Sequence, residues 1–364
     1  MTESNCLQRV EEFGKHLVQR RHVRFDSFLW DDGWDNHSSL WSFHDQFPDG
    51  FTKVGAASAK IGAGIGVWLS PWGGYGEAKE SRLKFAMEQG YDSDSGSFSL
   101  SDKKYFARFT EIALRMVTAF GVNMFKIDGV SFNGNSTIVG TELRNFLRLV
   151  GDIKSTATKE VFMSLTTGTW PSPFWLMHGD SVWRGFGDLG VDGPGSYRQR
   201  WITFRDTVVY YKVVSASYFY PLHGLMLHGI VVGAVGQARY QQLDVIEERD
   251  FSDEVWTYFS MGVSLQELYV SPDIMTVVAW DIIADAANWA RENRCILPPP
   301  SLSYIHTRMY TIYLYLSTYR SIYLSIYLSI YLSISIYLSA PFFLPLLPFL
   351  LFLSFVLTHR ITFV

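Results

Sequence analysis

Two aspartates stand where an alternating strand–helix chain does chemistry. Asp128 closes the apolar run Met124–Val130, MFKIDGV, and Asp188 follows the run 181–186 in SVWRGFGDLG. Each acid is preceded by a cation, Lys126 two residues before Asp128 and Arg184 four residues before Asp188. Two carboxylates on separate strand ends are the minimum equipment for breaking a glycosidic bond, one to attack the anomeric carbon and one to protonate the departing oxygen. The attacking group must be ionised. Side chains two apart on a strand share a face, so Lys126 is the charge expected to keep Asp128 so. Asp188 must carry a proton at rest, which asks for a drier setting, and Trp183 and Phe186 can supply it. The competing reading is a salt-bridged aspartate at each strand end. Asp192 and Asp206 stand in reserve for the acid role, although Asp206, in Phe204-Arg205-Asp206, reads better as a helix ion pair.

Asp31 and Asp32 form a second acidic site. Carboxylates accept charge-assisted hydrogen bonds from hydroxyls, which suits a sugar, whereas a turn or helix-cap pair is the plainer role. Adjacent acids repel, so at least one needs a cationic partner. Trp30, Trp68, Trp72, Trp170 and Trp175 lie at or beyond strand ends. The apolar face of a pyranose stacks on such rings, and Trp72 and Trp170 are the best placed; core packing is the alternative for each. His228 is a candidate donor to a hydroxyl, with a buried structural histidine as its alternative, and Glu267 reads similarly. No His/Cys/Asp cluster points to a metal, and no cofactor is implied.

The elements that must position these groups alternate. Helical periodicity covers 5–20, 49–60, 102–120, 136–153, 199–217, 253–262 and 274–293, with Gly121 as a breaker and Ser252 as a cap. Seven strands end near Trp30, Leu69, Asp128, Leu165, Arg184, His228 and Tyr269. Alternation implies parallel pairing and an α/β domain, with the polar and aromatic residues at the strands' C-terminal edge, where a (β/α) barrel does its chemistry. A doubly wound sheet is the competitor. Its glycine-rich phosphate loop would follow a strand, but GAGIG at 62–66 leads into one.

The motifs resemble those of melibiase-type α-galactosidases, the clan D glycoside hydrolases. Trp30-Asp31-Asp32-Gly33-Trp34 stands where that family has Asp-Asp-Cys-Trp, and Phe47-Pro48-Asp49-Gly50 matches its Phe-Pro-x-Gly. Lys126-Ile127-Asp128-Gly129 matches the nucleophile motif, Trp170-Pro171 the end of the fifth strand, and Arg184 with Asp188 the acid/base motif. The resemblance implies a (β/α)8 TIM-barrel-like fold, a retaining mechanism through Asp128 and Asp188, and sugar contacts from Asp31, Asp32, Lys126 and Arg184. It also exposes departures. The family's first strand is missing, which leaves seven strands of eight. Its C-terminal β-sandwich is absent, and the loop Gly168-Thr169-Trp170-Pro171 has no acid beside the tryptophan, so the sugar is not fixed.

The domain is expected to span 1–297, followed by a low-complexity tail over 298–364. Residues 321–332 read SIYLSIYLSIYL, the translation of a TCTA repeat in any frame, so the tail reads as non-coding sequence carried into the chain. The uncharged stretch from Ala340 to Leu357 is near the shortest length for a membrane span, and Pro341, Pro345 and Pro348 weaken it as a helix. Any membrane partnership would rest on that stretch. The polar N-terminus lacks the apolar core of a secretory signal, leaving the cytoplasm as default. Setting aside Arg308, Arg320 and Arg360 from the 31 basic residues leaves 28 against 35 acids before residue 298, a net −7, which argues against a nucleic-acid partner. Three functions remain: an exo-acting glycosidase on terminal α-linked sugars, an inactive truncated fragment, and a carbohydrate-binding protein without turnover.

Overall fold

The computed structural model describes residues 1–91, 93–94, 96–130, 137–167, 173–183, 193–209, 221–233 and 242–293. Helix α1 (Glu3–Phe13) is capped by the Thr2 hydroxyl, which accepts from the Asn5 amide, and buries Cys6, Val10 and Phe13. It runs on as a wider π turn, Gly14–Gln19. Strand β1 (Ser27–Trp30), helix α2 (Thr52–Lys60), strand β2 (Gly64–Leu69) and helix α3 (Gly76–Glu88) follow. The pair β3 (Ser93–Asp94) and β4 (Ser97–Phe98) forms a small antiparallel ribbon. Helix α4 (Lys103–Phe120) begins where the Asp102 carboxylate takes the Lys104 and Tyr105 amides and ends at Gly121, whose φ of 65° is the left-handed stop that glycine allows. Then come β5 (Met124–Val130), α5 (Thr137–Thr156), β6 (Phe162–Thr167), β7 (Ser181–Trp183), α6 (Tyr197–Val209), β8 (Leu225–Met226), β9 (Ile230–Val232), α7 (Glu248–Ser260), β10 (Leu268–Val270) and α8 (Val277–Glu292).

The strands form an α/β barrel-like wall. Six of them pair in parallel in the order β1-β2-β5-β6-β7-β8, and β9 pairs in parallel with β10. The strand expected over 222–230 is split in two. A Cβ on Gly229 would meet the Glu267 carbonyl at 2.3 Å, so the backbone of the last strand presses into the sixth at that point and only glycine fits. The 253–262 helix begins earlier than expected: Ser252 lies inside α7, and Glu247 holds the cap position. Helix α3, which the periodicity did not reveal, buries Arg82, Leu83 and Ala86. No helix among the described residues is long and apolar enough to cross a membrane; Ala340 to Leu357, on which the expected span rests, lies outside the described residues.

Alternation along each strand builds two cores. Outward side chains such as Val67, Phe125 and Ile127 pack beneath the helices in the main apolar cluster. Met124, Met226 and Leu265 form a separate, smaller apolar plug with Leu29 and Phe162 packed against it. The β6–β7 join carries a titrating group. The Asp180 carboxylate accepts the Met163 amide at 2.7 Å, with Lys154 at 3.7 Å. Burial pushes its carboxyl above the usual range, against the pull of Lys154 and the amide. A carboxyl raised on folding gives stability that is complete below the unfolded value and declines as pH rises through the folded one. Asp180→Asn cannot ionise and still accepts the amide. It should raise the thermal midpoint at pH 7 and leave it unchanged near pH 3, measured by calorimetry.

Candidate active site

Above the plug the barrel interior turns polar. Register aligns Trp68 with Lys126 and Lys126 with Ser164, and one layer higher Asp128 with Thr166. Asp128 sits at the C-terminal end of β5 and its carboxylate is held from several sides. Trp68 Nε1 donates to Oδ2 at 3.0 Å, and Tyr75 Oη and the Gly129 amide donate to Oδ1 at 3.1 and 2.7 Å. The Thr166 hydroxyl lies against the same Oδ1 and also 3.1 Å from the Ile127 carbonyl. An ionised carboxylate accepts about four such bonds. The left-handed φ of 74° at Gly129 turns the chain so that its own amide reaches back to the acid; a Cβ there would lie 3.5 Å from Tyr75 Oη and 3.6 Å from Ser70 Oγ.

Lys126 does not pair with Asp128. Its Nζ donates to Asp31 Oδ2 at 2.7 Å, joining β5 to the loop after β1. Burial opposes its charge, yet the carboxylates of Asp31 and Glu267 outweigh burial and lift the ammonium above its ordinary value, with Asp128 adding less. The charge expected to serve Asp128 directly is therefore spent first on the acid that follows β1, two strands along the sheet. Glu267, buried just before β10, accepts the Tyr269 hydroxyl at 3.0 Å.

Asp32 is held by a residue not singled out in the sequence. Arg82, wholly buried, donates from Nη2 to Asp32 Oδ1 at 2.8 Å and binds Asp35 through Nε and Nη2 at 2.9 and 2.7 Å. Its Nη1 donates to the Gly73 carbonyl at 2.8 Å, and its plane lies 4.2 Å from the Trp41 ring centroid. One guanidinium thus ties the loops after β1 and β2 together beneath the site. The fold also brings Asp32, Asp35 and His37 within 4.8 Å of one another, a grouping the sequence did not reveal. Arg82 already supplies the positive charge those two carboxylates need.

Neither a protein-family model nor a curated protein matches the sequence. Solved structures do match the fold. The GH36 α-galactosidase AgaA of Geobacillus stearothermophilus, determined with raffinose, superposes with a TM-score of 0.55 at 11% identity over 81% of this chain. Its fold is that of the melibiase-type α-galactosidases. The α-galactosidase of Lactobacillus brevis gives 0.55 at 11% identity over 81% of this chain, and TtGalA of Thermus thermophilus, determined with p-nitrophenyl α-D-galactopyranoside, gives 0.52 at 13% over 79%. The chain spans 40%, 39% and 58% of those three proteins respectively.

Within this α-galactosidase-like barrel the described site residues gather unevenly. Asp31, Asp32, Lys126 and Asp128 stand at or near the C-terminal ends of β1 and β5, linked as above. Trp72 lies beside Gly129, 4.0 Å from where a Cβ would be, with its ring 5.8 Å from that of Phe146. His228 sits between β8 and β9, its ring 5.2 Å from Trp201 and 5.4 Å from Tyr269. Asp206 is exposed on helix α6, away from the strand ends. Trp170, Arg184, Asp188 and Asp192 lie outside the described residues. Tyr75 and Thr166 were missed. Tyr75 follows the Trp-Gly-Gly after β2 and is 58% exposed while touching Asp128, so it stands at the mouth of the site. Only its place just beyond a strand end marks it in the sequence.

Proposed function

We propose that this chain is a retaining glycoside hydrolase acting on terminal α-linked sugars, α-galactosides foremost. The observation that carries the reading is Asp128, placed at a strand's C-terminal end and oriented by Trp68, Tyr75, Thr166 and the Gly129 amide. Active sites of (β/α) barrels lie at that end. Solved proteins of this fold include an α-galactosidase determined with a galactopyranoside. In the proposed reaction a carboxylate oxygen of Asp128 attacks the anomeric carbon while the glycosidic C–O bond breaks, and the departing oxygen takes a proton from Asp188. Asp188 then accepts a proton from water, which displaces the glycosyl ester and frees Asp128. This reading expects the two carboxyls about 5–5.5 Å apart. Asp31, Asp32 and Lys126 hold the sugar hydroxyls through charge-assisted bonds, with Trp72 and Trp170 stacking on its ring and Arg184 and His228 completing the polar wall.

A panel of 4-nitrophenyl α-glycosides tests it. Release of nitrophenol with retained anomeric configuration is expected, and inversion would remove Asp128 from the nucleophile role. Trp68→Phe keeps the ring and deletes the N–H that fixes Oδ2. It should lower kcat about tenfold to a hundredfold with little change in KM. A change confined to KM would place Trp68 in binding.

A further inference from the structure

The donors around Asp128 are shared unequally between its two oxygens. Among the described residues Oδ1 takes the Tyr75 hydroxyl at 3.1 Å, the Gly129 amide at 2.7 Å and the Thr166 hydroxyl, whereas Oδ2 takes only Trp68 Nε1 at 3.0 Å. Each carboxylate oxygen has two lone-pair directions. Oδ1 is therefore filled, and Oδ2 keeps one direction open for a carbon.

Tyr75 is placed against the preference of its own helix. It stands at the N-cap of α3, where Ser, Thr, Asp or Asn would accept a backbone N–H, and its side chain makes no capping bond. Its ring is left largely in solvent, with the hydroxyl spent on Asp128. The chain that leads to it is pinned. Gly73 and Gly74 have φ of 100° and 83°. A Cβ on Gly74 would come within 2.8 Å of Arg82 Nη1 and 3.0 Å of the Trp68 ring, and Arg82 Nη1 donates to the Gly73 carbonyl at 2.8 Å. The loop that carries Tyr75 thus leans on the guanidinium beneath the site and on the indole that serves Oδ2. A residue that breaks a local rule while its support is built this closely marks a functional position.

We propose that Oδ2 is the attacking oxygen, and that Tyr75 is a positioning residue which acts through Oδ1 to speed release of the sugar from Asp128. This inference rests on the glycosidase reading. In the first step an Oδ2 lone pair bonds to the anomeric carbon while the glycosidic bond breaks and its pair leaves with the departing oxygen. Oδ1 becomes the carbonyl oxygen of a neutral ester. In the second step water bonds to the anomeric carbon and gives its proton to the acid/base group, and the C–Oδ2 pair returns to Asp128 as a carboxylate. A hydrogen bond to a charged acceptor is roughly twice as strong as one to a neutral acceptor. The Tyr75 bond therefore weakens as the ester forms and strengthens as it breaks. It favours the departing carboxylate over the covalent intermediate, so its effect falls on the second step.

Two variants test this on the 4-nitrophenyl α-glycoside that the parent cleaves fastest, by steady-state kinetics and intact-mass spectrometry of rapidly quenched protein. Tyr75→Phe keeps the ring and deletes the hydroxyl. It should lower kcat and KM together by about tenfold, leave kcat/KM within about threefold, and raise the fraction of protein carrying one covalent glycosyl group. Tyr75→Ser supplies the missing cap, so it should unfold at no lower temperature than the parent and still show the rise in glycosyl-enzyme. A kcat/KM that falls as far as kcat in Tyr75→Phe, or glycosyl-enzyme that does not rise, overturns this inference and leaves the glycosidase reading standing. A parent protein that releases no nitrophenol from the whole panel overturns both.

Discussion

Asp128→Asn should lower kcat on a cleaved α-glycoside by about 10³-fold or more, with the folded state retained. The asparagine side chain has nearly the same shape and keeps an acceptor for Trp68 or Tyr75, so the loss falls on the bond to the anomeric carbon. Of the acids in the motif after β1, Asp31 is held by Lys126 at 2.7 Å and Asp32 by Arg82 at 2.8 Å, so neither is free to take its place. The measurement is steady-state hydrolysis with circular dichroism as a control for folding. Undiminished turnover in a folded Asp128→Asn protein would sink the nucleophile assignment and with it the proposed function.

The second large effect is on stability. Arg82→Met should cost about 3–5 kcal/mol, because it leaves the fully buried carboxylate of Asp35 without its cation. Urea unfolding at pH 7 reads the loss. Adding Asp35→Asn should recover a good part of it, since the uncompensated charge is what is expensive. The same substitution frees Asp32 to swing, so KM should rise as well. A cost under about 1 kcal/mol would show that the guanidinium is a passenger in an already rigid pair of loops.

The strands and most helices were legible because their periods are clean. Helix 102–120 reads directly from its apolar steps, its Asp102 cap and its Gly121 stop, and the structure has Lys103–Phe120. Helix α3 hid for a physical reason: its buried face is anchored by an arginine, and charged residues crowd the rest of GEAKESRLKFAME. Its partner Asp35 lies 47 positions away, so the burial of Arg82 is a tertiary fact. The 222–230 strand read as continuous because its break falls at Gly229, where the chain packs against the Glu267 carbonyl, a contact between segments distant in sequence. The site shows the same division. Asp31, Asp32, Lys126 and Asp128 announce themselves by motif, yet the sequence gives no means to tell that Lys126 answers Asp31. Spacing along one strand says which face a charge takes; which acid crosses to meet it depends on the loop of another strand.

Met124, in the apolar cluster with Met226 and Leu265, stands four residues before Asp128 on β5, and side chains an even number apart on a strand share a face. A single strand of seven residues thus passes on one side from hydrocarbon at Met124, through the ammonium of Lys126, to the carboxylate of Asp128.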